Sequence, residues 1–441
     1  MKKLLFTLSI LAGFAMQATA QSFQSGDLLY SVISSNPPCV SLDGHVDGTN
    51  AQGELVIPET VEHEGVSYAV TEIGDRAFLN CSGLTGHLVI PSTIDTIQIA
   101  AFYGCSGFTG SLVIPNAAVL KEHVFQNCSG FSNLILPDDI SEIPRAAFAN
   151  CSGFHEDLVF PESVRIIGEK AFYGCSSFGG LVLPEGLFEI REMAFKDCTG
   201  FSGTLDLPES LGSIKYAAFC NCTGFSGDIV IPNSVIEVGN TNNNDYFVVG
   251  EPPQPTFADC FDHLVLPESL TTIGFGCFTG CSRLSGDLEI PRSVKKILYH
   301  AFYGCSGFES IKLHTLTPPI MDNSFDCPLD FPIYIPCNTL ELYQNALGWR
   351  LFTNFIEDCS LVVDEEGSVE VRVYPNPASD FVTIEGIEAV EMQVFNAVGQ
   401  LVETVHHTNQ IVVSGWAKGL YVVKIMGNDG TVHTKRIAVV G

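Results

Sequence analysis

Charge is scarce in this chain. Asp, Glu, Lys and Arg make up 16% of 441 residues, and basic residues number 21 against 50 acidic ones. The resulting formal charge of −29 repels phosphate backbones and anionic lipid, which argues against nucleic acid or a membrane surface as partner. It also favours solubility or the binding of cations and basic partners. With 46% hydrophobic residues the low charge excludes a disordered chain. Beyond the first twenty residues no stretch approaches the ~20 uninterrupted apolar residues of a membrane-spanning helix. Motifs of catalysis are missing as well: no Gly-x-Ser-x-Gly elbow, phosphate-binding loop, His-Glu-x-x-His, dinucleotide glycine pattern or Cys-x-x-Cys occurs. The 11 histidines are scattered, with no spacing that pairs a nucleophile with a base. The expectation is a protein that is not an enzyme and takes no cofactor and no metal.

What is present begins with a leader. Lys2 and Lys3 precede a short apolar run from Leu4 to Ala15, and Ala18-Thr19-Ala20 supplies small residues for cleavage before Gln21. Residues 1–20 thus read as a signal peptide, too short to span a bilayer, and the mature chain is expected outside the cytoplasm.

A repeat of about two dozen residues then fills most of the length. An aromatic followed three residues later by cysteine recurs at Phe78/Cys81, Phe102/Cys105, Phe125/Cys128, Phe148/Cys151, Phe172/Cys175, Phe195/Cys198, Phe219/Cys222, Phe257/Cys260, Phe278/Cys281 and Phe302/Cys305. Successive phenylalanines stand 23 or 24 apart, except across 219–257 and 257–278. Each copy carries a short alternating segment such as Leu88-Val89-Ile90-Pro91, which reads as a strand ended by a proline that cannot donate to a ladder. The Ala-Phe-x-x-Cys segment suits one helical or 3₁₀ turn, and Ser-Gly reverses the chain. One strand and one turn cannot bury an apolar face alone. Stacked copies can, with each strand pairing in parallel with the next. About eleven coils at ~4.8 Å per strand give a rod or arc on the order of 50 Å.

The repeat resembles the BspA-like, or Treponema-type, leucine-rich repeats. Ile90-Pro91, Ile167-Gly168 and Ala171-Phe172-Tyr173-Gly174-Cys175 carry the likeness. So do the opening segment Gly53–Pro58 with Tyr68–Gly74, and the closing Thr317-Pro318-Pro319, Ile333–Pro336, Tyr343, Trp349 and Phe352. The likeness runs over roughly residues 25–358. It implies an α/β leucine-rich-repeat solenoid with parallel strands and short convex helical turns. It further implies adhesin-like binding of an extracellular protein or glycan, with no ligand named.

Alternation along the strands sends Leu88 and Ile90 inward with the phenylalanine and cysteine, and the middle residue outward. The outward row is Val89, Val113, Ile135, Val159, Val182, Asp206, Val230, Val265, Glu289 and Lys312. If the strands line the inner arc, this mainly aliphatic row is the candidate partner surface. A second reading stays open, because β-branched residues favour strands without any partner. A structural coat component with no dedicated ligand is the alternative function.

Of 16 cysteines, those of the repeat are expected as a buried ladder of thiols. Equivalent residues one strand spacing apart (~4.8 Å) exceed the ~3.8 Å between Cβ atoms of a disulfide. Cys337 and Cys359 flank the C-terminal cap and are the expected disulfide, with Cys327 as competing partner and Cys39 alone. Residues 239–255 interrupt the repeat with Asn240, Asn242, Asn243, Asn244 and Asp245. That stretch reads as a surface insertion, lacking the ordered carboxylates of a calcium loop.

The division expected is an N-terminal β cap over 21–70, repeats over 71–315, a C-terminal cap over 316–360, a linker over 361–372 and a separate module over 373–441. The last opens with Tyr374-Pro375-Asn376-Pro377 and Asp380, and its alternating strands predict a small antiparallel β-sandwich. These residues, with Gly399, Gly419 and Tyr421, resemble the type IX secretion sorting domain of Bacteroidota. That resemblance implies export through the periplasm, engagement of the type IX secretion machinery, and removal of the module.

Overall fold

The computed structural model describes residues 21–239, 255–361, 371–396, 400–427 and 432–440. The signal peptide, nearly all of the 239–255 insertion and of the linker, and Gly399 lie outside the described residues. The chain divides into two compact units, Met1–Val362 and Val363–Gly441.

The first unit is a stack of coils, most of which contribute two strands. One strand is the Leu-Val-Ile-Pro segment. The other was not foreseen: the Val-x-x-Ile step after the proline forms a two-residue strand. Eight of these, from Glu142–Ile143 to Ile320–Met321, make one continuous parallel sheet. The antiparallel strands of the N-terminal cap seed an equivalent ladder, since Val66–Ile73 pairs in parallel with Thr96–Ile97, and that strand with Val119–Leu120. This ladder stops before Glu142–Ile143 for a covalent reason. In neighbouring coils the residue after the isoleucine position donates its N–H to the coil before, as Lys121 does to Ile97 (3.0 Å) and Gly168 to Ile143 (2.8 Å). Pro144 occupies that place and has no N–H to give.

The Leu-Val-Ile-Pro strands were expected to pair without interruption, and they do not. Their parallel pairing falls into five sections: Gly53–Val56 with Leu84–Val89, Gly110–Val113 with Phe131–Ile135, Leu158–Val159 with Leu181–Val182, Ile229–Val230 with Leu264–Val265, and a last group of four running from Gly286–Ile290 to Phe355–Glu357. Residues 205–207 form no strand. The inward and outward alternation survives these gaps.

Two rails of phenylalanine fill the interior. The Ala-Phe rings stack coil on coil from Phe78 to Phe325, with centroids 5.3–5.9 Å apart. A second rail runs from Phe108 through Phe131, Phe154, Phe178, Phe201 and Phe225 to Phe261, and meets the first edge-on. Beside them runs the expected thiol ladder, and the structure gives its chemistry. Most of these cysteines donate the S–H to the phenylalanine carbonyl of the preceding coil, as do Cys105 to Phe78, Cys128 to Phe102, Cys151 to Phe125 and Cys175 to Phe148, all at 3.0 Å; Cys260 donates to the Cys222 carbonyl instead. A small apolar side chain with a weak donor meets both demands of that position. Burial pushes these thiols up, to about 12 for Cys151.

The expected helical turns, and with them the α of an α/β solenoid, are absent from the described residues of the repeat. Ala-Phe-x-x-Cys forms serial turns whose N–H groups alternate between the same coil and the next. Cys81 donates to Phe78 within its coil, whereas Phe78 donates to Ala101 and Asn80 to Tyr103. The residue before the cysteine adopts positive φ in every copy but that of Cys260, as in Asn80 (59°), Gly104 (75°), Asn150 (58°) and Gly174 (72°), and a right-handed helix cannot include it. Among the described residues α-helix is confined to Leu340–Asn345, with 3₁₀ turns at Gly48–Asn50, Trp349–Leu351 and Cys359–Leu361.

That short helix belongs to the C-terminal cap. Trp349 is buried where the first rail ends, its centroid 6.0 Å from Phe325, and its Nε1 donates to the Pro319 carbonyl at 2.8 Å. Cys337 and Cys359 are joined by a disulfide, and Cys327 is free and half-buried.

The second unit holds two antiparallel sheets. One joins Arg372–Tyr374, Phe381–Glu385 and Gln410–Val412; the other joins Leu401–His406, Ala389–Asn396, Gly419–Gly427 and Val432–Val439. Val382 and Ile384 of the first share one core with Met392, Val394, Val423 and Ile425 of the second.

Candidate functional site

A strand in a stacked coil must bury one face, so the middle side chain of Leu-Val-Ile-Pro has nowhere to go but out. Leu88 and Ile90 are 4% and 8% exposed, and Val89 between them is 68% exposed. The same holds along the stack. Val113, Ile135, Val159, Val182 and Val265 are between 47% and 57% exposed, and Val230 is half-buried. Pairing registers place these residues directly opposite one another: Val113 with Ile135, Val159 with Val182, Val230 with Val265.

Sequence reading missed the first member. Val56 is 75% exposed and stands in register with Val89. Its signal was the same Leu-Val-Ile-Pro segment, hidden because no Ala-Phe-x-x-Cys precedes it. Val56, Val89, Val113, Ile135, Val159 and Val182 therefore form an unbroken aliphatic row across six coils. At the far end, Lys312 is opposite Tyr334, and Tyr334 opposite Ile356.

Asp206 interrupts the row and is exposed. Its polar end is occupied by its own members. The Lys312 Nζ lies 2.6 Å from Asp287 and 3.6 Å from Glu289, and His314 lies 3.1 Å from Glu289. The ammonium holds the Asp287 carboxyl below its ordinary value, and the carboxylates raise Lys312. These charges satisfy each other and leave the aliphatic stretch as the open part of the face.

Among the described residues no group of three His, Cys, Asp or Glu side chains could hold a metal ion. No helix of the described residues is long and apolar enough to cross a membrane.

In the second unit the motif residues brace the fold. The Asn376 side chain donates to the Arg436 carbonyl (3.1 Å) and accepts from the Ala438 N–H (2.7 Å), tying the opening segment to the last strand. Tyr374 donates to Glu385 (2.9 Å), and Tyr421 donates to the Ala417 carbonyl (2.9 Å) while packing on Trp416. The Asp380 carbonyl accepts from Val413 and Ser414, and Gly419 opens the strand that carries Tyr421. Pro375 and Pro377 flank Asn376 in the exposed opening loop.

Comparison with known proteins agrees with this anatomy. Residues 71–200, 154–243 and 253–353 match the BspA type leucine rich repeat region in six copies, and residues 372–440 match the secretion system C-terminal sorting domain. Among solved structures the chain is similar to a leucine rich cell surface protein of Faecalibacterium prausnitzii, at 19% identity over 77% of this chain and 96% of that one, TM-score 0.40. It is similar to the pneumococcal vaccine antigen PcpA at 16% identity over 77% and 99%, TM-score 0.47. A third is the leucine rich repeat protein of T. pallidum, at 23% identity over 46% and 89%, TM-score 0.39. A curated relative, ulvan lyase NLR42 of Nonlabens ulvanivorans, is 31% identical over 93 residues, which span 19% of this chain and 17% of that protein. The tail directs the chain through type IX secretion to the cell surface or the extracellular space. Repeat matches covering more than half of the chain make it a member of the BspA-type leucine-rich repeat family, carrying a C-terminal secretion sorting domain.

Proposed function

We propose that this is a secreted or cell-surface, adhesin-like, non-enzymatic binding protein whose aliphatic row engages an extracellular protein or glycan. The supporting observation is the run from Val56 to Val182: six large aliphatic side chains, each about half exposed or more, in consecutive coils of a rigid stack. Desolvating such a strip on a partner is favourable by about 25 cal/mol per Å² of apolar surface, and it requires no rearrangement of the stack. Asp206, Val230, Val265 and Glu289 extend the face beyond it.

The tail is read as a small β-sandwich, a reading supported by its two sheets and common core. We assign Tyr374, Pro375, Asn376, Pro377, Asp380, Gly399, Gly419 and Tyr421 to its sorting signal. The divisions at residues 70, 315, 360 and 372 are kept as part of this reading, although the strand Val66–Ile73 runs through the first of them. The lyase-named relative matches too little of either chain to argue for catalysis.

Replacing Val113, Val159 and Val182 by lysine tests the reading. Binding to host or neighbouring-cell extracts should fall at least tenfold, while the melting temperature moves by no more than about 2 °C, as for other exposed substitutions. Unchanged binding would remove this face from the function. Capture of nothing by either form would favour a coat component without a ligand.

A further inference from the structure

The aliphatic strip has a charged edge. Three residues beyond Ile135, Val159, Val182 and Asp206, past each coil's proline, stand the exposed carboxylates Asp138, Glu162, Glu185 and Glu209. Three residues of chain reach at most about 10 Å, so strip and edge fit under one partner. Some acids elsewhere on the stack are engaged: Glu142 binds Arg191 at 2.8 Å, and Asp262 binds Arg283 at 2.7 Å. Among the described residues, none of these four carboxylates makes a salt bridge or a side-chain hydrogen bond. Four like charges in successive coils stand beside an apolar strip with none of them ion-paired, the nearby Arg165 guanidinium donating instead to the Glu162 backbone carbonyl at 2.6 Å; such a set is complementary to an apolar segment flanked by cations.

The spacing selects a shape. In these coils the first phenylalanine rail gives centroid separations of 5.9, 5.4 and 5.6 Å between Phe125, Phe148, Phe172 and Phe195. An α-helix advances about 5.4 Å per turn, whereas side chains on one face of a β-strand recur every ~6.7 Å. A helix along the stack can therefore set one aliphatic side chain on each coil for about four turns without slipping out of step.

We propose that the strip and its acidic edge form a docking surface for a cationic amphipathic helix. The helix's aliphatic stripe lies on Ile135, Val159 and Val182, and its Lys or Arg residues stand over Asp138, Glu162, Glu185 and Glu209. The inference rests on the aliphatic row being the binding face.

The test uses the full mature chain and labelled synthetic helices of about eighteen residues, each with leucines at i, i+4, i+7 and i+11. One peptide carries flanking lysines, a second carries glutamates in their place, and a third has the lysine peptide's sequence scrambled. In fluorescence anisotropy the lysine helix alone should bind, weakening about tenfold or more as salt rises from about 0.05 to 0.5 M. D138N/E162Q/E185Q/E209Q should weaken it about tenfold with melting temperature unchanged, because only rim charge is removed. Equal binding of the glutamate or scrambled peptide, no binding of the lysine helix, or no effect of the quadruple variant overturns the proposal. If extract partners are still lost on lysine substitution of the valines while the lysine helix fails, the binding face stands and the cationic helix falls.

Discussion

Phe148→Ala removes one ring from the middle of the first rail. The ring is fully buried, 5.9 Å from Phe125 and 5.4 Å from Phe172. Truncating a buried phenylalanine costs about 3–5 kcal/mol, part of it the two stacking partners at about 0.5–1.5 kcal/mol each. A stack of repeats touches only nearest neighbours, so the loss falls on the interfaces that couple the coils on either side. Phe188→Ala, one coil on, is the matched control: that ring is 59% exposed, and its loss should cost no more than about 0.5 kcal/mol. The chain has two tryptophans, and Trp416 lies in the tail, so W416F leaves Trp349 as the reporter of the solenoid's far end. Urea unfolding followed by Trp349 fluorescence should show F148A well below wild type, or split into two transitions. F188A should overlay the parent. Equal stability of F148A and F188A would refute the rail as the source of cohesion.

The thiol ladder predicts alkaline failure. Burial pushes Cys151 from 9.0 up to about 12, so the folded chain keeps a proton that the unfolded chain releases above pH 9. Stability is thus whole below pH 9 and falls as pH climbs toward 12, by about 1.4 kcal/mol per pH unit for that thiol, as urea midpoints at pH 7, 9 and 10 will register. Cys175, Cys198 and Cys222 shift the same way, and alkylation of the native chain at pH 8 should leave all four unlabelled. Replacing Cys337 and Cys359 by serine opens a cross-link of sequence separation 22 and should cost about 3 kcal/mol at the C-terminal cap, visible as earlier proteolysis there. Gly174→Ala meets positive φ (72°), and its Cβ would stand 2.4 Å from the Asn150 Oδ1; a loss of about 1–3 kcal/mol in urea is expected.

How far the sequence could be read depended on what each signal encodes. Leu-Val-Ile-Pro alternation is local chemistry, and it placed Leu88 and Ile90 inside and Val89 outside. Glu142–Ile143 and its seven equivalents are two residues each, too short to carry any periodicity. They become a sheet only when stacked, so no single copy could announce them. The turns were misread as helical because apolar spacing in Ala-Phe-x-x-Cys fits both. The discriminating signal was the Asn, Gly or Asp before cysteine, in Asn80, Gly104, Asn127, Asn150, Gly174 and Asp197, residue types that tolerate positive φ. Interruption of the Val-x-x-Ile ladder was written in Pro144, whose missing N–H matters only once its place in the coil is known. The aliphatic row was legible apart from Val56. Its acidic edge was visible residue by residue, yet the lack of ion pairs along it is a three-dimensional fact.

The most direct test of the binding face is contact itself. A photoreactive side chain at Val159, 57% exposed in the row, should cross-link the mature protein to a discrete partner on cells or matrix, identifiable by mass spectrometry. The same group at Tyr303, 40% exposed in a turn segment away from the Leu-Val-Ile-Pro strands, should not. Adducts from Tyr303 with none from Val159 would contradict the account.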